Sequence, residues 1–168
     1  MDRWRGRRLA GLALIALLAS TMAGAVATAR DDGALWVVVR DRAGVELART
    51  ALSPDGFALR YRNSVYESLA EEHFEVDGAQ LRLVELRADE LAVLEEYYIA
   101  VGATRSAADS DRTWTIDVER DPIELPLRVQ ATALGERTLL ANGQAIPLWR
   151  LVAERDDTLV ILTIEEAE

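Results

Sequence analysis

The spacing of turn signals constrains this chain more than any other feature. From residue 34 onward, short runs of alternating apolar and polar side chains are closed, one after another, by proline, glycine, asparagine or aspartate. Alternation with a period of two marks a half-buried strand, whereas a surface helix needs a repeat of about 3.6 residues sustained over roughly ten or more. Ala34 to Arg40 is rich in valine and tryptophan, and Val45 to Leu52 follows across Asp41-Arg42-Ala43-Gly44, the arrangement of a hairpin. In Ser53-Pro54-Asp55-Gly56 the proline presets φ and the glycine accepts a positive one, so the chain turns there. Phe57, Leu59 and Tyr61 then alternate with Ala58, Arg60 and Arg62, and Ala70, Phe74 and Val76 alternate with Glu67, Glu71, His73 and Glu75. Asp77-Gly78 and Asn142-Gly143 are the two strongest hairpin dipeptides. The runs Thr113 to Glu119, Leu125 to Ala131, Thr138 to Ala141, Ala145 to Val152 and Thr158 to Ile164 complete the set of expected strands.

One run is ambiguous. Leu91, Leu94, Tyr98 and Val101 fit a helical face, but Tyr97-Tyr98-Ile99 favours extended backbone, so Glu90 to Val101 is read as a strand or irregular edge. Nine or ten short strands joined to near neighbours predict an all-β, mostly antiparallel fold. A two-layer β-sandwich is the expected form, with a partly closed barrel as the alternative. The expected core is Trp36, Val38, Phe57, Leu59, Tyr61, Phe74, Val76, Leu83, Trp114, Ile116, Val118, Leu127, Val129, Leu148, Val160 and Leu162.

A segment of different character precedes these strands. Arg3, Arg5, Arg7 and Arg8 stand before the uncharged stretch Leu9 to Ala29, which ends in Ala25-Val26-Ala27 and Ala27-Thr28-Ala29. Basic, apolar and small residues in that order form an export signal, with cleavage expected after Ala27 or Ala29. Uncleaved, the same stretch is long enough to tether the chain to a membrane. In either case the leading arginines place the domain on the far side. The expectation is a signal peptide or N-terminal anchor over residues 1–29, followed by a single β domain over residues 30–168 in the periplasm or another extracytoplasmic space.

The chain has no cysteine, which removes disulfides, thiolate metal sites and a cysteine nucleophile. Its 19 basic side chains are all arginine, against 29 acids, for a formal charge of -10. Without Asp2 and the four leading arginines, the domain carries -13. Such a surface repels nucleic acid and anionic lipid, so no nucleic-acid partner is expected.

The polar break Tyr61-Arg62-Asn63-Ser64-Val65-Tyr66-Glu67 is the most unusual local feature. As a turn, it has Asn63 capping its own chain with Ser64 in support. As a site, it is a solvent-open corner in which Asn63 and Ser64 bond to a small polar group and Arg60 or Arg62 pairs with an acid on the ligand. Both readings stand on the same residues.

The stretch from Phe57 to Arg87, the Val101-Gly102-Ala103 triplet, Trp114 to Glu119, Leu125-Pro126-Leu127 and Asn142 to Leu148 together resemble the uncharacterised domain-of-unknown-function 1850 family. That family's pattern has a His-Ser-Val triplet after an aromatic strand. Here Ser64 and Val65 match it and Asn63 departs. Gly102 and Ala103 match its small-residue motif, whereas Thr104 stands where a glycine is expected. The resemblance implies a small exported protein associated with tripartite transporters that use a periplasmic receptor, and an accessory role there. It brings no catalytic mechanism.

Enzyme constellations are sparse. The only histidine is His73, and no G-x-S-x-G elbow, phosphate-binding glycine loop or two-histidine metal motif is present. Ser64 with His73 is the one serine-hydrolase pairing that can be written. Glu71, His73 and Glu75 share a strand face and form the one metal-binding alternative, one imidazole with two carboxylates. The reading adopted is an exported, non-enzymatic accessory domain without a cofactor. It binds a small organic ligand or a transporter partner through Arg60, Arg62, Asn63, Ser64, Glu67, Gly102 and Ala103.

Overall fold

Strands form where alternation and turn dipeptides agree. In the computed structural model the described residues are 34–108 and 110–166, all within the compact unit Asp31–Glu168. The expected export segment over residues 1–29 lies outside them. The strands are β1 (Leu35–Asp41), β2 (Glu46–Ala51), β3 (Phe57–Arg62), β4 (Leu69–Asp77), β5 (Gln80–Ala88), β6 (Thr104–Arg105), β7 (Trp114–Asp117), β8 (Ile123–Glu124), β9 (Leu127–Gln130), β10 (Thr138–Ala141), β11 (Gln144–Pro147) and β12 (Leu159–Glu166). They make two antiparallel sheets rather than a closed barrel. The smaller runs β2-β1-β12-β9, and the larger runs β11-β10-β3-β4-β5-β7-β6, with β8 also on β5. The fold is an all-β sandwich.

One apolar core joins the sheets. Val37, Val39, Val129, Val160 and Leu162 face it from the smaller sheet, and Leu59, Phe74, Leu81, Leu86 and Leu139 from the larger. Asn142 and Gly143 both have positive φ, as a two-residue hairpin requires. Gly56 is needed for a second reason: a Cβ there would lie 1.9 Å from the Phe74 carbonyl oxygen, so only glycine lets the turn press against β4.

Three expectations are corrected. Of the two β1 residues expected in the core, Val38 is buried but Trp36 is only half-buried, and the cluster between the sheets takes Val37 and Val39 instead. Val38 is fully buried but lies outside this cluster, because β1 is central in its sheet and covered on both faces. A run in which every residue is apolar carries no parity signal. Glu90 to Val101 is not a strand: the chain turns helically at Val93–Tyr97. The helical face wins because it buries Val93 and Leu94 completely, worth about 1.5–3 kcal/mol for each side chain, more than the strand preference of the tyrosines. The run from Ala145 to Val152 is not one strand either. It leaves β11 at Pro147 and forms a short helix, Leu148–Leu151, that buries Leu148.

A bulge shapes the larger sheet. Opposite β4 the register shifts between His73 and Phe74, so that His73 faces Glu85, Phe74 faces Leu83, and Val84 is the extra residue. One added residue reverses the parity of β5. Leu81 and Leu83 point inward before it, and Leu86 and Ala88 after it.

Candidate ligand-binding site

The polar break after β3 is a turn built by Asn63. Its side chain is 3% exposed, and Oδ1 accepts hydrogen bonds from the Val65 N–H at 2.9 Å and the Tyr66 N–H at 3.1 Å. The Asn63 N–H donates to the Ser68 carbonyl at 2.8 Å. Glu67 takes a positive φ to close the turn and pairs with Arg62 at 3.3 Å. Asn63 is therefore occupied by its own backbone, while Ser64 is exposed. The corner is also concave. Arg62, Asn63 and Ser64 join Tyr61, Gln130 and Arg137 around a cavity of about 240 Å³. Its rim holds exposed apolar side chains: Val65 at 73%, Tyr97 at 56% and Leu134 at 64%.

A second cavity, of about 360 Å³, shares Gln130 and Arg137 with the first and lies between the sheets. Leu59, Phe74 and Leu83 wall it from the larger sheet, and Leu127 and Val129 from β9. Ile123 stands among its lining and is 39% exposed. The charged groups within this slot are Glu72 and Arg137, and Arg128 lies exposed at its edge.

Glu72 faces inward because it shares the parity of Ala70 and Phe74 on β4. A bare carboxylate there would be costly, and a relay of hydroxyls satisfies it. The Tyr98 hydroxyl donates to Glu72 Oε1 at 2.7 Å. With that proton committed, the Tyr61 hydroxyl, 2.7 Å away, is the donor to Tyr98. Burial pushes the Tyr61 hydroxyl up to about 12. Burial and then the Glu72 charge push Tyr98 up as well. Both phenols are held protonated, as a relay that donates from Tyr61 to Tyr98 and from Tyr98 to Glu72 requires.

Arg137 is the least satisfied member of the network. Its guanidinium stacks 4.8 Å over the Tyr61 ring and lies 3.6 Å from Glu72 Oε2, yet it donates no hydrogen bond among the described residues. A half-buried guanidinium with five donors, set where two cavities meet, is a place for an external acceptor.

No family model, no curated protein and no solved structure matches this chain. The resemblance to the domain-of-unknown-function 1850 family thus rests on the short motifs alone.

The other expected site residues are dispersed. Arg60 points to the opposite face of the larger sheet, where it lines an open groove with His73, Asp111 and the β10–β11 turn. Gly102, at φ +102°, and Ala103, packed on the core, lead into β6 and line neither cavity described above. Ser64 and His73 do not meet. His73 pairs with Ala58 and Leu69 with Arg62, so Ser64 lies beyond the far end of β3, roughly 13 Å or more along the strand at about 3.3 Å per residue. The hydrolase pairing has no geometry here.

The metal set also separates. His73 Nε2 lies 3.1 Å from Glu71 Oε2, but Glu75 turns to Arg82 at 2.8 Å. Glu71 is 4% exposed. Burial pushes its carboxyl up, and His73, Arg112 and Arg60 together outweigh that and hold it below the usual range. Arg112 Nε lies 3.3 Å from Glu71 Oε1 without the alignment of a hydrogen bond, and Arg112 Nη1 bonds Asp89. Arginines occupy the carboxylates, and no group of three His, Asp or Glu side chains suited to a metal occurs among the described residues.

Sequence reasoning missed Glu72 and Arg137. Glu72 carried a signal: it is a lone acid on the inward parity of an otherwise apolar strand face, which calls for a partner. Arg137 sits in a loop and carried none.

Proposed function

We propose that this chain is an exported accessory domain that holds a small, partly apolar organic ligand in the slot between its sheets, in service of a membrane transporter or its receptor. The slot carries the reading. Ligand sites are mostly apolar clefts of about 300–1,000 Å³ with a few convergent polar groups, and this one has about 360 Å³ with Glu72 and Arg137 among its lining. Export is supported by the basic, apolar and small-residue order over residues 3–29. Among the described residues no helix is long and apolar enough to cross a membrane. The transporter link is supported by the short-motif resemblance, and the exposed Val65, Tyr97 and Leu134 offer a partner an apolar contact beside the slot.

Calorimetric titration of the full chain with octanol tests the slot. One saturable site is expected, and it should be lost in Leu127→Trp, whose indole fills the cavity. Heat that never saturates, or equal binding by a folded Leu127→Trp variant, refutes the reading.

A further inference from the structure

We infer that the ligand is an amphipathic organic acid, with its carboxylate on Arg137 and its hydrocarbon part along Leu59, Phe74, Leu83, Leu127 and Val129. This rests on the slot reading above and adds the chemical class.

The argument is one of charge and unused donors. The charge inside the slot is that of Glu72 and Arg137, with Arg128 exposed at its edge on the outward parity of β9, on a chain whose formal charge is -10. A positive charge with unused donors against that background is complementary to an anion. Glu72 does not cancel it. Its Oε1 already accepts from Tyr98, and its Oε2 has Arg137 at 3.6 Å, so the carboxylate is largely satisfied. Arg137 is not. Its guanidinium donates no side-chain hydrogen bond among the described residues, whereas Arg128, being exposed, has water for its donors. A guanidinium has two edges, so Arg137 can keep one toward Glu72 and offer the other bidentately to a second carboxylate.

The competing class is an ammonium on Glu72. It would have to displace a donor at 2.7 Å and sit beside Arg137. A neutral alcohol would use the apolar walls but give the guanidinium one uncharged acceptor where a carboxylate gives two charged ones. Of the three, the acid alone gives Arg137 a charged, bidentate acceptor while its chain lies on the apolar walls. The chain's acidic surface slows the approach of an anion in low salt, and this acts on the association rate rather than on the seated complex.

The test is a parallel calorimetric titration of the full chain with octanoate, octanol and octylamine. Octanoate is expected to bind roughly tenfold or more tighter than octanol, the worth of a charge-assisted hydrogen bond, with octylamine weakest. Arg137→Gln should narrow the gap between octanoate and octanol. If that variant does not fold, Arg128→Gln, at an exposed position, should narrow it in part. Octanoate and octanol binding equally at one saturable site would overturn the acid while leaving the slot reading in place. Octylamine binding tightest would do the same and make Glu72 the recognising group. Binding of none of the three would overturn both.

Discussion

Asn63 is the residue whose replacement most directly separates a turn-building role from a ligand-binding one. In Asn63→Ala two backbone donors, the Val65 and Tyr66 N–H groups, lose their acceptor at 2.9 and 3.1 Å. A net hydrogen bond is worth about 1 kcal/mol, and more where the orphaned group stays dry. Val65 is 73% exposed, so water reaches its side of the turn, whereas Tyr66 is half-buried. The expected loss is therefore about 2 kcal/mol, within the range for removing a capping side chain. In urea, with a slope of about 1–3 kcal/mol/M, the unfolding midpoint should fall by roughly 1 M. Asn63→Asp keeps the oxygen that accepts both bonds and should stay within about 0.5 kcal/mol of the parent. Asn63→His, which installs the residue of the resembling family, has one acceptor nitrogen and should fall between them. Ser64→Ala, at an exposed turn position, should cost no more than about 0.5 kcal/mol. Denaturant melts of the four variants are the assay. Asn63→Ala indistinguishable from Ser64→Ala would refute the assignment of the turn to the Asn63 side chain.

Three further outcomes follow from the same geometry. Because burial pushes Tyr61 up to about 12 and raises Tyr98 too, their contribution is complete below the unfolded tyrosine value of about 10 and is lost as pH climbs through the folded one. Stability should thus decline from about pH 10 to 12, and Tyr98→Phe, which strips the donor from Glu72, should cost about 1–3 kcal/mol at neutral pH. A flat alkaline limb would count against the relay. At the acid end, the hydrogen bond from Arg40, then that from Thr163, hold Glu165 down to about 2 from 4.5. Its contribution is present above pH 4.5 and disappears as pH falls through 2, so Glu165→Gln should flatten the acid limb of a stability–pH curve. Ile99 is 81% exposed and held at φ +56°. A β-branched residue there is strained by about 1–2 kcal/mol, and glycine returns about 0.5–1 kcal/mol as backbone entropy. Ile99→Gly should raise stability by about 0.5–1 kcal/mol, and a loss in a thermal melt would mean that Ile99 makes a contact the strain supports.

Features set by near neighbours could be read from the sequence alone. Asn142-Gly143 and Asp77-Gly78 place hairpins because positive φ is a property of those residues. Phe57 to Arg62 announces its inward face because Arg60 and Arg62 alternate with Phe57, Leu59 and Tyr61. The turn at Asn63 was also legible, since a short amide between two strands bonds its own backbone. Where alternation lapsed, as in Leu35-Trp36-Val37-Val38-Val39, the buried parity could not be read. The Val84 bulge then reversed that of β5 without any local mark. Tyr97-Tyr98-Ile99 carries a strand preference worth less than the burial of Val93 and Leu94, and that burial depends on the sheet they pack against. The slot belongs wholly to the tertiary structure. It exists because the side chains of β9 do not fill the space they share with those of β3, β4 and β5, and because a loop arginine reaches a carboxylate on another strand. Strand patterns are short-range and leave a trace in the order of residues. A gap between two sheets depends on where distant side chains end.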